Sequence, residues 1–434
     1  MAPIEKRVVK NLSKKMARLL PRGTMALLKK IGALADQNNC SAFVVGGLVR
    51  DLVMGRRNMD LDIVVEGDGM RFAGVLAKKL GGSLVVHRRF GTASVYTPEA
   101  LKIDIATARK ELYEAPAALP TVEFSSLKND LIRRDFTINA MAVSLNSANF
   151  GQLIDFFGGE RDLGLGRIKV LHDSSFIDDP TRIFRAVRFE QRFGFRIDAH
   201  TEDLLKRAVS REMFDRTEKQ RIRDELVLIL KEPDPLKGLR RMDSLHELAF
   251  IHPAIRFSRR MEALFKSIGD CTAWYRNSTL GGRAIDGWLL YLMALVDDLG
   301  YNELHSLCGK FVFSNRDRLR LLAFKKIYKR AVAVIGKKSV RPHRIFALLE
   351  PLPYEVILAI MAKAPSQEVR SKIEEFFTRY HRTRLEINGR DLKAIGLEPG
   401  PGFKKILDKV LYRKVDGYLK SKADELVYAK KLIR

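Results

Sequence analysis

The chain has 434 residues, of which 46% are hydrophobic and 30% charged, a composition typical of a globular protein. No apolar run approaches the roughly 18 residues that a membrane span needs, so no membrane partner is expected. Lysine and arginine number 78 against 52 for aspartate and glutamate, giving a formal net charge of +26. This balance favours a polyanionic partner, above all nucleic acid, over a membrane surface; a generally basic soluble enzyme is the alternative.

The cysteines and the N-terminal segment indicate the compartment. Cys40, Cys271 and Cys308 are scattered and match neither a metal-ligand spacing nor a disulfide framework, which favours a reducing environment. Residues 1–24 are basic, lack the apolar core of a secretory signal and have the apolar spacing of an amphipathic helix. We therefore predict a cytoplasmic protein whose first helix either packs on the fold or faces nucleic acid.

Short β-branched runs alternate with helical segments as far as about residue 170, which predicts a mixed α and β region. After Ile177 the strand signals nearly vanish and long helical patterns follow, so the rest is predicted to be largely α-helical. Weak breaks fall at residues 231–235, 339–344 and 397–402.

The glycine pair Gly46-Gly47 precedes a predicted helix and is followed by Arg50. Glycines at a strand-to-helix turn let the backbone approach a phosphate closely. The motif is not a P-loop, because no Gly-Lys-Ser/Thr follows. A tight packing turn, with Arg50 paired to Asp51 or another acid, is the alternative.

Two aspartates interrupt the apolar pattern of the next strand. Asp60 and Asp62 are two residues apart, so on a strand their carboxylates share one face. Asp104 lies in the same way between the apolar residues of a later strand. If the two strands pair, three carboxylates converge into an all-oxygen site suited to Mg²⁺, with phosphates as further ligands. The alternative is that these are exposed polar faces of edge strands.

An arginine pair follows these strands. Arg133 and Arg134 precede Asp135, and we predict that Asp135 or Thr137 caps a helix starting at about Ile138. An arginine at such a helix start would be placed to bind a triphosphate bidentately. Capping with solvated charge is the alternative.

The most informative predicted helix begins near Pro180, which suits the first helical position and makes Asp179 the expected N-cap. Arg182, Arg185 and Arg188 recur at every third residue without matching acids. Such a surface is typical of an anion or base reader. Asp179 would then both cap the helix and accept hydrogen bonds from the exocyclic amine of a base, with capping alone as the alternative.

These motifs resemble, in order and spacing, those of the class II tRNA nucleotidyltransferases and bacterial poly(A) polymerases. The resemblance covers roughly residues 43 to 230, and residues 388–407 also resemble the C-terminal region of that family. The segments that carry it are GGLVRD, DLD, RRDFTINA, IDFFGGERDL, DDPTRIFRAVRF and QRIRDEL. Two positions depart from the usual pattern, since Asp178 and Gln220 stand where the family usually has glutamate.

The resemblance implies an α+β fold: a polymerase-β-like nucleotidyltransferase head with a small mixed sheet, followed by an all-helical neck, body and tail. The expected divisions are a basic N-terminal helix (1–24), the catalytic head (25–171), the neck that recognises the nucleotide base (172–235), the body (236–345) and the tRNA-binding tail (346–434).

The resemblance also implies roles for the residues of the head. A two-metal Mg²⁺ site would be held by Asp60, Asp62 and Asp104. The incoming triphosphate would be held by Gly46, Gly47, Arg50 and Arg134.

Further along the chain, Asp179 and Arg182 would hydrogen-bond the incoming base in place of a nucleic-acid template, with Arg185 and Arg188 supporting them. A hinge between head and neck is expected at Asp155, Gly158 and Gly159.

The reaction implied is nucleotide addition to the 3′ end of tRNA with release of pyrophosphate, without an obligate protein partner. The basic helical domains would hold the tRNA acceptor arm. Residues 105–132 form a loop about as long as the flexible loop of A-incorporating members, and its composition resembles that of a dedicated A-adding branch. We therefore predict addition of the terminal A from ATP to tRNA ending in CC. The alternatives are complete CCA addition from CTP and ATP, poly(A) polymerase activity, a non-catalytic RNA-binding module, and a loop with no role in selection.

Overall fold

The computed structural model describes residues 10–88, 91–112, 121–211, 213, 217–278 and 283–433. The chain divides into two compact units, residues 1–225 and residues 226–434. The finer division into head, neck, body and tail stays a prediction.

A seven-stranded mixed sheet organises the first unit, in the order β3-β4-β5-β2-β1-β8-β9. β2 and β5 pair in parallel and the other neighbours are antiparallel. Two small ribbons, β6-β7 and β10-β11, lie outside this sheet. The described strands are β1 (Ser41–Val45), β2 (Leu61–Glu66), β3 (Ser83–His87), β4 (Thr92–Tyr96), β5 (Lys102–Thr107), β6 (Arg109–Leu112), β7 (Thr121–Phe124), β8 (Met141–Ser144), β9 (Leu153–Asp155), β10 (Arg167–Ile168) and β11 (Arg196–Ile197). The small mixed sheet predicted for the head is confirmed.

The helices of this unit surround the sheet. Met16 of α1 is fully buried, so the N-terminal helix packs on the fold. The described helices are α1 (Ser13–Leu19), α2 (Arg22–Gln37), α3 (Gly47–Val53), α4 (Gly69–Leu80), α5 (Leu127–Ile132), α6 (Gly159–Gly164), α7 (Ser175–Asp178), α8 (Thr181–Phe193), α9 (Ala199–Ser210) and α10 (Lys219–Leu230), the last of which runs across the division between the units.

The two faces of the sheet are covered differently. Alternation along β2 and β5 places Ile63 and Ile105 on one face, where both are about 1% exposed beneath the amphipathic helix α4. On the opposite face, Val64 packs with Leu127 and Leu131 of α5 in an apolar cluster. That cluster covers the β1–β8 side, and Asp62 shares the face with Val64 because the two residues are two positions apart.

The helix predicted to start at about Ile138 is wrong. Residues Thr137–Asn139 form one 3-10 turn, and the chain then enters strand β8. All four residues of β8 are buried between β1 and β9, so sheet burial overrides the local helical pattern. Arg134 accordingly lies beyond the C-terminal end of α5 instead of at a helix start.

The described residues of the second unit form helices and their connections, without a strand, which confirms the predicted helical remainder. Its C-terminal part has an apolar cluster of its own, centred on Leu392, Val410 and Ala429. None of the helices in the described part of the chain is both long and apolar enough to cross a membrane. The helices are α11 (Pro235–Ser244), α12 (Leu248–Ile251), α13 (Arg259–Asn277), α14 (Gly287–Leu295), α15 (Tyr301–Lys310), α16 (Asn315–Ile335), α17 (Pro342–Leu349), α18 (Tyr354–Ala362), α19 (Gln367–Glu375), α20 (Gly389–Ala394), α21 (Pro401–Val415) and α22 (Lys422–Ile433), with a π-helical turn at Phe376–Tyr380.

Candidate active site

The predicted carboxylates lie on one face of the sheet. Asp62 of β2 is the direct register partner of Asp104 of β5, and Asp60 stands one residue before β2. Burial raises the pKa of the Asp62 carboxyl; Arg134 opposes this rise, while the negative charges of Asp104 and Asp60 add to it. The strand pairing on which the prediction depended is therefore present, and the three carboxylates interact electrostatically.

The Asp104 carboxylate is already engaged. Ser94 Oγ donates to its Oδ1 at 2.6 Å, and Lys102 Nζ donates to its Oδ2 at 2.7 Å. Within the described residues, no group of three or more carboxylate, imidazole or thiolate side chains is arranged to hold a metal ion. Mg²⁺ commonly needs only one or two carboxylates, because water and substrate phosphates complete its shell. The hard oxygen donors of Asp60 and Asp62 fit that requirement, and the three-carboxylate site stays a prediction.

The glycine turn brings backbone close to these carboxylates. Gly46 has φ +70°, in the left-handed region that favours glycine. A Cβ on Gly46 would lie 3.0 Å from Arg134 Nη1 and 4.0 Å from Asp62 Oδ2. The missing side chain therefore keeps open a space bordered by a carboxylate and a guanidinium.

Arg134 contributes positive charge that is only partly matched. Its Nη2 donates to Asp130 Oδ2 at 3.2 Å, and Asp130 also binds Arg133. The Nε of Arg134 is buried and has no hydrogen-bond partner among the described residues. Nη1 of the same guanidinium borders the open space at Gly46, so Arg134 is suited to donate to an anion there.

Arg50 is already engaged by neighbouring side chains. Its guanidinium donates to both carboxylate oxygens of Asp51, at 2.9 and 3.1 Å, and to Asn139 Oδ1 at 2.8 Å. The pairing with Asp51 is the alternative considered from the sequence. Arg50 still borders the cavity described below, so its role toward phosphate stays a prediction.

Asp179 stands at the start of α8, which begins at Thr181, one residue later than predicted. Its Oδ1 accepts from Thr181 N at 3.1 Å and from Thr181 Oγ1 at 2.6 Å, so the carboxylate does bind the first turn of the helix. Its Oδ2 accepts from Arg221 Nη2 at 2.7 Å. Arg221 of α10 therefore orients the carboxylate predicted to read the base.

Arg182 is only 5% exposed, although it carries a full positive charge. Nη1 donates to Ser175 Oγ at 2.7 Å, and Nη2 donates to the backbone oxygen of Arg133 at 2.6 Å. These acceptors are neutral, so they fix the direction of the guanidinium without neutralising it. Arg182 is thereby held in position to donate to a ligand.

Arg185 and Arg188 have acidic partners from outside their own helix, contrary to the unmatched surface predicted from the sequence. Arg185 binds Asp135 at 2.6 Å and Glu225 at 3.1 Å, and Arg188 lies 3.5 Å from Glu225. Burial would raise the pKa of Asp135, but the charge of Arg185 and hydrogen bonds from Asn139 and Arg185 outweigh it and lower the pKa to about 2. This buried network braces α8.

One cavity of about 400 Å³ joins the glycine turn, Asp62 and the start of α8. Asp60, Asp104 and Arg188 do not line it. Its walls are Gly46, Gly47, Arg50, Asp62, Arg134, Asp135, Asn139, Asp179, Thr181, Arg182, Arg185, Phe189, Arg221 and Glu225.

Sequence reasoning missed several of these walls as site residues. The sequence indicates only a capping role for Asp135, and it marks Arg221 only as part of a motif. Glu225 belongs to the same QRIRDEL segment, and its spacing from Arg221 puts both residues on one face of α10. That spacing was the available signal.

The predicted hinge is a tightly bonded turn. Asp155 Oδ1 accepts from Gly159 N at 2.9 Å, and Oδ2 accepts from Glu160 N at 3.0 Å. Gly158 has φ +77°, and a Cβ on Gly159 would collide with the backbone oxygen of Thr137. The positive φ of Gly158 and the close approach at Gly159 explain why both positions are glycine. The hinge role stays a prediction.

The segment predicted as a loop that influences nucleotide choice, residues 105–132, begins in β5, continues through the antiparallel ribbon of β6 and β7, and ends in α5. β6 and β7 pair from Arg109 opposite Phe124 to Leu112 opposite Thr121. Residues 113–120, the middle of this segment, lie outside the described residues, so its role in nucleotide selection stays a prediction.

Comparison with known proteins adds independent information. The family model described as the poly(A) polymerase head domain matches residues 42–169. An A-adding tRNA nucleotidyltransferase of Geobacter sulfurreducens is 41% identical over 99% of this chain and 49% of its own length. Another A-adding tRNA nucleotidyltransferase, of Halalkalibacterium halodurans, is 32% identical over 97% of this chain and 95% of its own length.

Among solved structures, a Thermotoga maritima CCA-adding enzyme complexed with tRNA-CCA has a TM-score of 0.78 and 34% identity, covering 99% of this chain and 100% of that one. The chain spans about half the length of the G. sulfurreducens relative and nearly all of the other two.

Proposed function

The chain belongs to the tRNA nucleotidyltransferase family, and we propose that it is an A-adding member, which transfers AMP from ATP to the 3′ end of a tRNA ending in CC. The observation that carries the proposal is the single cavity that places Asp62, the glycine turn and the start of α8 around one space. The A-adding relatives support the choice of nucleotide over the CCA-adding alternative.

In the proposed reaction, the terminal 3′ hydroxyl of the tRNA attacks the α-phosphorus of ATP. The new O3′–P bond forms as the bond from that phosphorus to pyrophosphate breaks. Asp60 and Asp62, with Asp104 as the third carboxylate, would hold Mg²⁺, which when bound activates the hydroxyl and neutralises charge on the leaving pyrophosphate. The open side of Gly46 admits phosphate oxygens, and Nη1 of Arg134, which borders that space, donates to them.

Base selection rests on Asp179 and Arg182. Adenine presents a donor at its exocyclic N6 and an acceptor at N1, which suits a carboxylate beside a guanidinium. Arg221 holds Asp179, while Ser175 and the backbone of Arg133 hold Arg182, so both groups are oriented before the nucleotide arrives. Arg185 and Arg188 act indirectly, by bracing α8 through Glu225.

The net charge of +26 supports binding of tRNA through its phosphates, largely independent of base sequence. The cytoplasmic location, the tRNA-binding role of residues 346–434 and the use of two Mg²⁺ ions remain predictions.

The test uses purified protein, Mg²⁺, single nucleotides and tRNAs that lack one, two or all three residues of the terminal CCA. We expect efficient addition of one A to tRNA ending in CC and no efficient use of CTP. Completion of all three positions would replace the proposal with CCA addition, and addition of many A residues to unrelated RNA would indicate a poly(A) polymerase. Binding without any incorporation would leave only an RNA-binding module.

A further inference from the structure

The face of the sheet that carries the carboxylates continues toward its β3 edge. Register pairs Tyr96 of β4 with Lys102 of β5, and Val85 of β3 with Ser94 of β4. Ser94 is paired with Asp104 and donates to its carboxylate, so it shares the carboxylate face. Because side chains two apart on a strand point the same way, Tyr96, Lys102 and Val85 lie on that face too.

This stretch of the face is open. Tyr96 is 39% exposed and Val85 is 44% exposed, whereas Val95, which points to the opposite face, is fully buried. The apolar cluster that contains Leu127 and Leu131 of α5 covers the β1–β8 side of the same face but does not include residues of β3 or β4. An aromatic ring and an aliphatic side chain are therefore presented beside the carboxylates. We call Val85, Tyr96 and Lys102 the β3–β5 strip.

Lys102 gives the strip its positive charge. Its ammonium donates to Asp104 Oδ2 at 2.7 Å, while its side chain remains 51% exposed. An ammonium group has three donors, so the bond to Asp104 leaves capacity for an acceptor from solvent or substrate.

The geometry points to the β3–β5 strip as the seat of the 3′-terminal nucleoside of the RNA substrate. In this assignment, which rests on the proposed function, the base stacks on Tyr96 against Val85, and Lys102 donates to the phosphate that precedes that nucleoside. The terminal 3′ hydroxyl is thereby directed toward the carboxylates. Base–aromatic stacking beside a cation is the usual way of holding single-stranded nucleic acid without reading its sequence.

Two features favour RNA as the occupant. The strip is continuous with the carboxylate face on which the proposed reaction takes place, so the attacking strand must reach this region. Its cation is complementary to phosphate, and the cavity that receives the nucleotide has separate walls that include none of the three strip residues. A protein docked on the strip would instead cover Asp104.

The first test compares Tyr96→Ala with Tyr96→Phe in full-length protein. We expect Tyr96→Ala to raise the KM for tRNA ending in CC about ten-fold, because the stacking surface is lost, while the KM for ATP stays within two-fold. Tyr96→Phe keeps the ring and should restore the wild-type KM. The matched control is Val86→Ala on the same edge strand, since Val86 points to the opposite face and is 39% exposed.

A substrate change separates stacking from a merely structural effect. For the wild type, the KM for a tRNA whose 3′-terminal nucleotide lacks its base should be about ten-fold higher than the KM for intact tRNA. For Tyr96→Ala the two KM values should be nearly equal, because the substitution and the loss of the base remove the same contact. Equal penalties in the two proteins would overturn the assignment. So would an unchanged KM for tRNA in Tyr96→Ala, or a rise of the same size in Val86→Ala.

The proposed contact between Lys102 and a phosphate is tested through the salt dependence of the KM for tRNA. Replacing it by Gln should reduce the slope of log KM for tRNA against log salt concentration by roughly 0.7, the contribution of one phosphate on a single strand. Lys102→Arg should keep the slope. An unchanged slope in Lys102→Gln would overturn the phosphate contact.

Failure of this inference is distinguishable from failure of the proposed function. If the wild type adds C or many A residues, the proposed A-adding function is wrong. The KM for tRNA is then compared between wild type and Tyr96→Ala with the nucleotide that is added. If the wild type is inactive, the Kd values of intact and abasic tRNA ends are compared in wild type and Tyr96→Ala. If A-addition is normal and Tyr96 has no effect, only the strip is wrong.

Discussion

Arg182 in the first unit and Arg320 in the second are equally buried, each 5% exposed, yet their partners differ in kind. The described hydrogen bonds of Arg182 go to neutral oxygens of Ser175 and Arg133. Those of Arg320 go to carboxylates, at 2.5 to 2.8 Å. The acids around Arg320 are Asp286, Asp317 and Glu355.

The difference separates a guanidinium available to a ligand from one that stabilises the fold. Around Arg320 the positive charge is matched several times over, so the fold itself uses it. Arg182 is oriented by hydrogen bonds to neutral acceptors, and it lines a cavity that also contains Asp135 and Asp179. Burial alone does not distinguish the two roles, but the charge of the hydrogen-bond acceptors does.

The largest loss of activity is expected from replacing the carboxylates of the first unit, which contains Arg182. Asp60→Ala or Asp62→Ala should lower nucleotide incorporation by about three orders of magnitude or more, because the metal-binding oxygens are lost. The Kd for tRNA should hardly change, since phosphate contacts elsewhere supply affinity. Incorporation is measured with labelled ATP, with the exposed Asp203→Ala on α9 as control. Activity above a tenth of wild type in both variants would contradict the assignment.

Arg182→Gln should reduce kcat/KM for ATP about 100-fold, the typical loss when one positioned donor is removed. Its free energy of unfolding should change by only about 1 kcal/mol, because the lost hydrogen bonds are to neutral acceptors. Steady-state kinetics and urea unfolding give the two values. A large loss of stability with normal kinetics would place Arg182 in the same class as Arg320.

Arg320→Ala should show the reverse pattern. Removing the guanidinium leaves the nearly buried Glu355 unpaired, and breaking a buried ion pair costs about 3 kcal/mol. Activity per folded molecule should be preserved. Urea unfolding checks the loss, with the largely exposed Arg316→Ala as a control that should behave like wild type. Wild-type stability in Arg320→Ala would show that the acids around Arg320 do not stabilise the fold through it.

Asp135 and Arg185 form an ion pair in the wall of the cavity, and this pairing should make the free energy of unfolding depend on pH. The pKa of Asp135 is lowered from 3.8 to about 2 in the folded protein, so its contribution of about 2 kcal/mol is fully present well above pH 4. It is lost as the pH falls through 3.8 toward 2. The free energy of unfolding should therefore fall more in wild type than in Asp135→Asn between pH 6 and pH 3, by about 1 kcal/mol. Parallel pH profiles would argue against the pairing.

The smallest effect is expected for Arg221, which orients Asp179 from a partly exposed position. Arg221→Ala should reduce the preference for ATP over GTP about three- to five-fold, because Asp179 accepts from the N6 amine of adenine, where guanine has an oxygen, and a partly exposed ion pair is worth at most about 1 kcal/mol. Competition assays with both nucleotides measure the ratio. Arg223→Ala, whose ion pair is with its neighbour Asp224, should leave the preference unchanged.

Local patterns determined much of this fold. The strands around Asp62 and Asp104 are where alternation placed them, and the helix from Thr181 to Phe193 matches its arginine and apolar spacing. These features depend on side-chain periodicity and on residues that start helices, which act over a few neighbours.

What only the tertiary structure decided depends on distant partners. The parallel register of Asp62 with Asp104 is set by strand order, and the acids that match Arg185 come from 50 and 40 residues away. The helix predicted near Ile138 gave way to β8, because pairing with β1 and β9 and burial of all four of its residues outweigh local propensity. Periodicity along a chain determines which face of an element is apolar, whereas charge pairing and strand order are settled only when separate segments pack together.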